Sequence, residues 1–100
     1  MENVIYYNEL FEIYSPLLTD NERETFKDYY FEDLSLSEIS ENKGVSRAAI
    51  QKTLKVTIKK LEDFENYLHK HEIIKSLKDI LLVDDEKMIK ERITEIIEKE

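Results

Sequence analysis

Apolar residues recur at three- and four-residue spacing along almost the whole chain, and each break between stripes carries a residue suited to cap a helix. Asn3 to Tyr14 sets Ile5 or Tyr6, Leu10, Ile13 and Tyr14 on one stripe, which predicts an amphipathic helix. Ser15-Pro16 ends it, because proline cannot continue the amide ladder. Thr19 stands three residues before Glu22, and Ser35 three before Glu38; both pairs fit a capping box, in which hydroxyl and carboxylate each accept the other residue's backbone amide. A second helix therefore starts at Thr19, with Phe26, Tyr29, Tyr30 and Phe31 expected in the core, and a third runs from about Leu36 to Lys43.

The only glycine, Gly44, follows at once. A helix ending near Lys43 places its next residue in the left-handed region, where a β-carbon is penalised. Val45 is then expected to plug the core and Ser46 to cap a fourth helix from Arg47 to about His69, with Ile50, Leu54, Ile58, Leu61 and Leu68 on its buried side. Short helix, glycine turn and capped longer helix form a helix-turn-helix pattern. Ile39 and Ser40 lie five and four residues before the glycine, where the first helix needs an apolar anchor and a small residue for close crossing. Farther on, Ile73, Ile74, Leu77, Ile80 and Leu81 make one stripe and Met88, Ile89, Ile93, Ile96 and Ile97 another, with Asp84-Asp85 capping the break. The expected fold is all-α: a helical bundle with the helix-turn-helix over about 36–56 inside a domain 1–70, then a C-terminal extension 71–100 of two amphipathic helices. That extension either packs on the long helix or buries its stripes against a second chain in a homodimer.

Charge changes the picture. The stretch KGVSRAAIQKTLKVTIKKL, residues 43–61, holds six cations and no acid, while the chain totals −8, so −14 falls on the remainder. An exposed basic helix aimed outward by a glycine turn has the makings of a recognition helix. Its outward positions are Ser46, Arg47, Ala48, Gln51, Lys52, Lys55 and Lys59. Arg47 and Gln51 carry the donors and acceptors to read base edges, and Lys52, Lys55 and Lys59 suit phosphates. The bland counterpart, a solvated charged face, needs none of this.

Other chemistries find little footing. The chain has no cysteine, so disulfides, thiolate metal sites and a cysteine nucleophile are excluded, and a cytoplasmic location is the default expectation. One glycine cannot build a phosphate-cradling loop. His69 and His71 are two apart and face different ways on a helix; Glu65 and His69 have i,i+4 spacing and are expected as an exposed ion pair. Neither a metal site nor any other cofactor is expected, and no catalytic residue stands out. Serines 35, 37, 40 and 46 all have capping or packing roles. Tyr29 and Tyr30 could stack on bases, but their neighbours Phe26 and Phe31 favour the core. No segment reaches the roughly 18 apolar residues of a membrane span, and the N-terminus lacks a basic, apolar leader.

LFEIYSPLLT, YYFEDLSLSEI, GVSRAA and LEDFENYL, read in register over about residues 9–68, resemble the YlxM family of small bacterial proteins and, more distantly, region 4 of sigma factors. The resemblance implies a sigma-region-4-like helix-turn-helix and an association with the signal recognition particle pathway. Two departures stand out: Lys43 takes the place of an apolar residue before the turn glycine, and Gln51-Lys52 stands where an aromatic and an acid are common. Target preference therefore does not transfer at these positions. Three readings follow: a regulator binding double-stranded DNA, an accessory factor binding signal recognition particle RNA or protein, and an acidic protein-interaction module.

Overall fold

Most of the helices begin where a side-chain acceptor waits for their first free amides. In the computed structural model, which describes residues 3–99, Asn3 Oδ1 accepts from the Tyr6 amide at 3.0 Å and opens α1 (Val4–Tyr14). A 3-10 turn over Ser15–Leu17 carries Pro16 at its start. Thr19 and Glu22 form a reciprocal capping box at 3.2 and 2.9 Å ahead of α2 (Asp20–Tyr30), and Ser35 and Glu38 repeat it at 3.1 and 3.0 Å ahead of α3 (Leu36–Lys43). Gly44 closes α3 at φ 68° and ψ 34°. The Val45 amide reaches back to the Ser40 carbonyl at 3.1 Å, the six-to-one bond that satisfies an otherwise orphaned helix carbonyl. Ser46 Oγ then accepts from the Ala49 amide at 3.1 Å and starts α4 (Arg47–Leu68).

Two compact units divide the chain, residues 1–67 and 68–100. In the first, Leu10, Phe11, Tyr14, Leu18, Phe26 and Leu61 form one buried cluster, with the Phe11 and Phe26 rings stacked at 4.4 Å. Ile39, Ile50 and Leu54 form another, and Tyr30 packs against both. Polar contacts cross the same interfaces: Tyr14 Oη donates to Glu65 at 2.6 Å, and Lys60 pairs with Glu22 at 2.7 Å. These contacts fix α4 on α1 and α2.

Several expectations about individual side chains are overturned. Val45 is 46% exposed rather than plugged into the core, because Leu34 and Leu36 already pack against Ile39, Ile50 and Leu54 in that space. Leu68 ends α4 exposed, and Phe31 is exposed although its ring meets Phe11 and Phe26. On α1, Phe11 is buried although the expected stripe did not include it, and of Ile5 and Tyr6 it is Tyr6 that packs against the core. Glu65 points inward to Tyr14 instead of forming a surface pair with His69, whose carboxylate neighbour is Glu72 at 3.4 Å.

The second unit is a hairpin. His69 takes a left-handed conformation, φ 55°, and breaks the chain between α4 and α5 (Lys70–Ile80). Asp85 Oδ1 accepts from the Lys87 amide at 2.9 Å and starts α6 (Glu86–Lys99). Lys99 reaches Glu72 across the pair at 3.2 Å. Among the described apolar residues of this unit Ile80 alone is buried, while Leu77, Leu81, Leu82, Met88, Ile93 and Ile97 are exposed.

Candidate nucleic-acid interface

The capped turn at Gly44 sets the direction of α4, and the burial of Ile50, Leu54, Thr57 and Leu61 sets its rotation. At about 100° per residue, burying that side turns Ala48, Lys52, Lys55 and Lys59 away from the core. Ser46, Arg47, Ala48, Gln51, Lys52, Lys55 and Lys59 are all exposed. Ser46 has its hydroxyl oxygen engaged by the Ala49 amide, so its first role is to cap. From Arg47 to Lys55 the face runs about 12 Å along the helix. Gln51 lies between these two, within the same two turns.

The six cations of the basic block separate into two groups. Lys43 Nζ lies 3.2 Å from Glu24 and 3.2 Å from Asn21, tying α3 to α2. Lys60 ties α4 to α2 through Glu22. Lys59 is paired within its own helix, 2.7 Å from Asp63, and that hydrogen bond, with the attraction of the same carboxylate, holds its ammonium above the ordinary lysine range. Among the described residues no carboxylate lies within ion-pair distance of Arg47, Lys52 or Lys55. The unclaimed positive charge is therefore concentrated at the start of α4. Beyond Lys60 the helix changes sign, with Glu62, Asp63 and Glu65 following in the next turn and a half.

This division was only partly open to sequence reasoning. Lys59 and Asp63 are four apart on a helix, a spacing that announces a pair. Lys60 and Glu22 are thirty-eight positions apart in the sequence, and nothing local joins them. Burial alone would raise the Glu22 carboxyl, but hydrogen bonds from Lys60 and from Thr19 outweigh it and bring the group below its ordinary value. Glu38 is likewise lowered, by the Ser35 amide and then its hydroxyl. Both carboxylates serve the scaffold and not the exposed face.

Other chemistry is thinly represented. The Tyr30 ring lies tilted against Phe26 at 4.5 Å and Tyr29 meets Tyr30 edge-on at 5.0 Å, with Tyr29 37% exposed. The hairpin holds an open groove of about 800 Å³, floored by Ile73, Ile80 and Ile96. Among the described residues no cluster of three or more His, Cys, Asp or Glu side chains is placed to hold a metal ion. No described helix is long and apolar enough to cross a membrane.

A family model for UPF0122, described as "Putative helix-turn-helix protein, YlxM / p13 like", matches residues 1–99. A UPF0122 protein of Malacoplasma penetrans is 45% identical over 82 residues, covering 75% of this chain and 77% of the relative. One from Fusobacterium nucleatum is 39% identical over 89 residues, covering 89% and 86%. A UPF0122 protein of Streptococcus gordonii is 50% identical over 62 residues, 62% of this chain and 56% of its own.

Proposed function

The chain belongs to the UPF0122 family of helix-turn-helix proteins, and from that premise we propose that it binds double-stranded DNA through the exposed N-terminal half of α4 as a regulator. The observation that carries the reading is the unclaimed charge of Arg47, Lys52 and Lys55 on a helix start whose opposite side is anchored in the core. A B-form major groove admits an α-helix, and the first turns of a recognition helix meet base edges there. Arg47 and Gln51 supply base contacts, Lys52 and Lys55 phosphate contacts, and the methyl group of Ala48 is too small to hold the helix away. The chain total of −8 keeps sequence-independent attraction low.

The association with the signal recognition particle pathway that the family resemblance carries makes the particle's RNA the competing ligand for the same face. A-form RNA has a deep, narrow major groove that side chains cannot read, which favours DNA for a helix presented in this way. The test is a fluorescence anisotropy titration of duplex DNA beside signal recognition particle RNA at two salt concentrations, with Arg47→Ala and Lys52→Ala. Saturable duplex binding that falls as salt rises, and that Arg47→Ala weakens by about 1–3 kcal/mol, is expected. Duplex binding indifferent to both substitutions would overturn the reading. Binding of RNA alone would replace it with the accessory-factor reading, and flat titrations with both would leave a protein-interaction module.

Helix-turn-helix proteins often engage paired half-sites as twofold dimers. The exposed Leu77 and Leu81 of α5 and Ile93 and Ile97 of α6 support a homodimer formed through the hairpin.

A further inference from the structure

The three carboxylate-bound lysines of the basic block differ in what their partners do. The Lys43 and Lys60 contacts join separate helices; the Lys59–Asp63 pair joins nothing beyond one helix. Its order along the chain is also the weaker one for a helix, since the stabilising i,i+4 arrangement places the acid before the base. Lys59 shares the outward stripe with Lys52 and Lys55, and its side chain is 72% exposed against 19% for Lys43. Scaffold stability therefore gives little account of Asp63.

Deepening the DNA-binding reading on which it rests, we infer that Asp63 limits the reach of the binding face, a carboxylate that competes with phosphate for Lys59 and ends the nucleic-acid grip at Lys55. Each phosphate neutralised by a lysine adds to affinity without reading sequence. A lysine already neutralised by its own chain releases no counterion when a phosphate arrives. Holding Lys59 shortens the grip to Arg47, Lys52 and Lys55 and leaves base contacts a larger share of the binding. The neighbouring Glu62 adds a second negative charge near Lys59, and Asp63 makes the direct contact.

The test is a salt titration of a mixed-sequence DNA duplex with the full chain, as wild type, Asp63→Asn, Lys59→Ala, Lys55→Ala and the Asp63→Asn/Lys59→Ala double variant. Asp63→Asn is expected to tighten binding on the order of threefold at low salt, and to steepen the dependence of log K on log salt by about 0.9 per bound protomer. Lys59→Ala alone should leave affinity within about twofold of wild type while Lys55→Ala weakens it, and the double variant should return to the wild-type line. A gain that survives in the double variant would show that Asp63 acts without Lys59 and overturn the inference; a Lys59→Ala loss equal to that of Lys55→Ala would reduce the effect to net charge and overturn it as well. Wild-type binding with Asp63→Asn unchanged overturns the role of Asp63 alone; no binding by either overturns the DNA reading as well.

Discussion

Gly44 sits at φ 68° with no atom within 4 Å of the place a Cβ would occupy. The cost of replacing it is therefore conformational and not steric. Gly44→Ala should destabilise the chain by about 1–2 kcal/mol, and Gly44→Asn by less, since asparagine tolerates the left-handed region; urea unfolding followed by circular dichroism measures both. Thr25 presents the opposite case. Its side chain is fully buried in α2, and its hydroxyl oxygen has no hydrogen-bond partner among the described residues. Thr25→Val keeps the shape and removes the desolvated hydroxyl, so a gain of about 1 kcal/mol in the same unfolding experiment is expected. A loss would mean that the hydroxyl is satisfied in solution.

The alignment of α4 depends on carboxylates that reach between helices. Glu22 caps α2 through Thr19 and accepts Lys60 from α4, so one residue starts a helix and docks another. Its carboxyl is lowered in the folded chain. A group lowered on folding contributes stability that is complete above its unfolded value of about 4.3 and is lost as pH falls through the folded value. Acid titration of the unfolding midpoint should therefore show wild type losing stability below about pH 4.3 more steeply than Glu22→Gln. Parallel curves for the two proteins would remove Glu22 from the acid response. The order of α2, α3 and α4 could be read from the sequence because Thr19, Ser35, Gly44 and Ser46 mark their ends locally. The Glu22–Lys60 contact could not, because it forms only after α2 and α4 have packed.

The hairpin and the helix-turn-helix unit pose different questions of burial. A unit of some thirty residues with Ile80 as its one buried apolar residue among those described is too small to be stabilised by its own core. Leu81 and Ile97, 83% and 69% exposed, belong to the surface that the proposed homodimer covers. Sedimentation equilibrium should give twice the monomer mass for wild type and the monomer mass for Leu81→Glu/Ile97→Glu, with the helical content of the first unit kept. A monomeric wild type would remove the dimer and leave the DNA reading to a single half-site.

Where helices begin and end was written in neighbouring residues, and so was the exposure of Arg47, Gln51, Lys52 and Lys55, because caps, turn glycine and helical period act over one or two turns. Burial that depends on which neighbour arrives first was not. Val45 lost its expected place to Leu34 and Leu36, and of Ile5 and Tyr6, which spacing offered equally, Tyr6 packs against the core. The same holds for charge: six cations share one acid-free stretch, and packing turned Lys43 and Lys60 toward α2 while Lys59 met Asp63 one turn along. A sequence specifies the period of a helix directly, but the partner of each side chain depends on distances set only when the helices have packed.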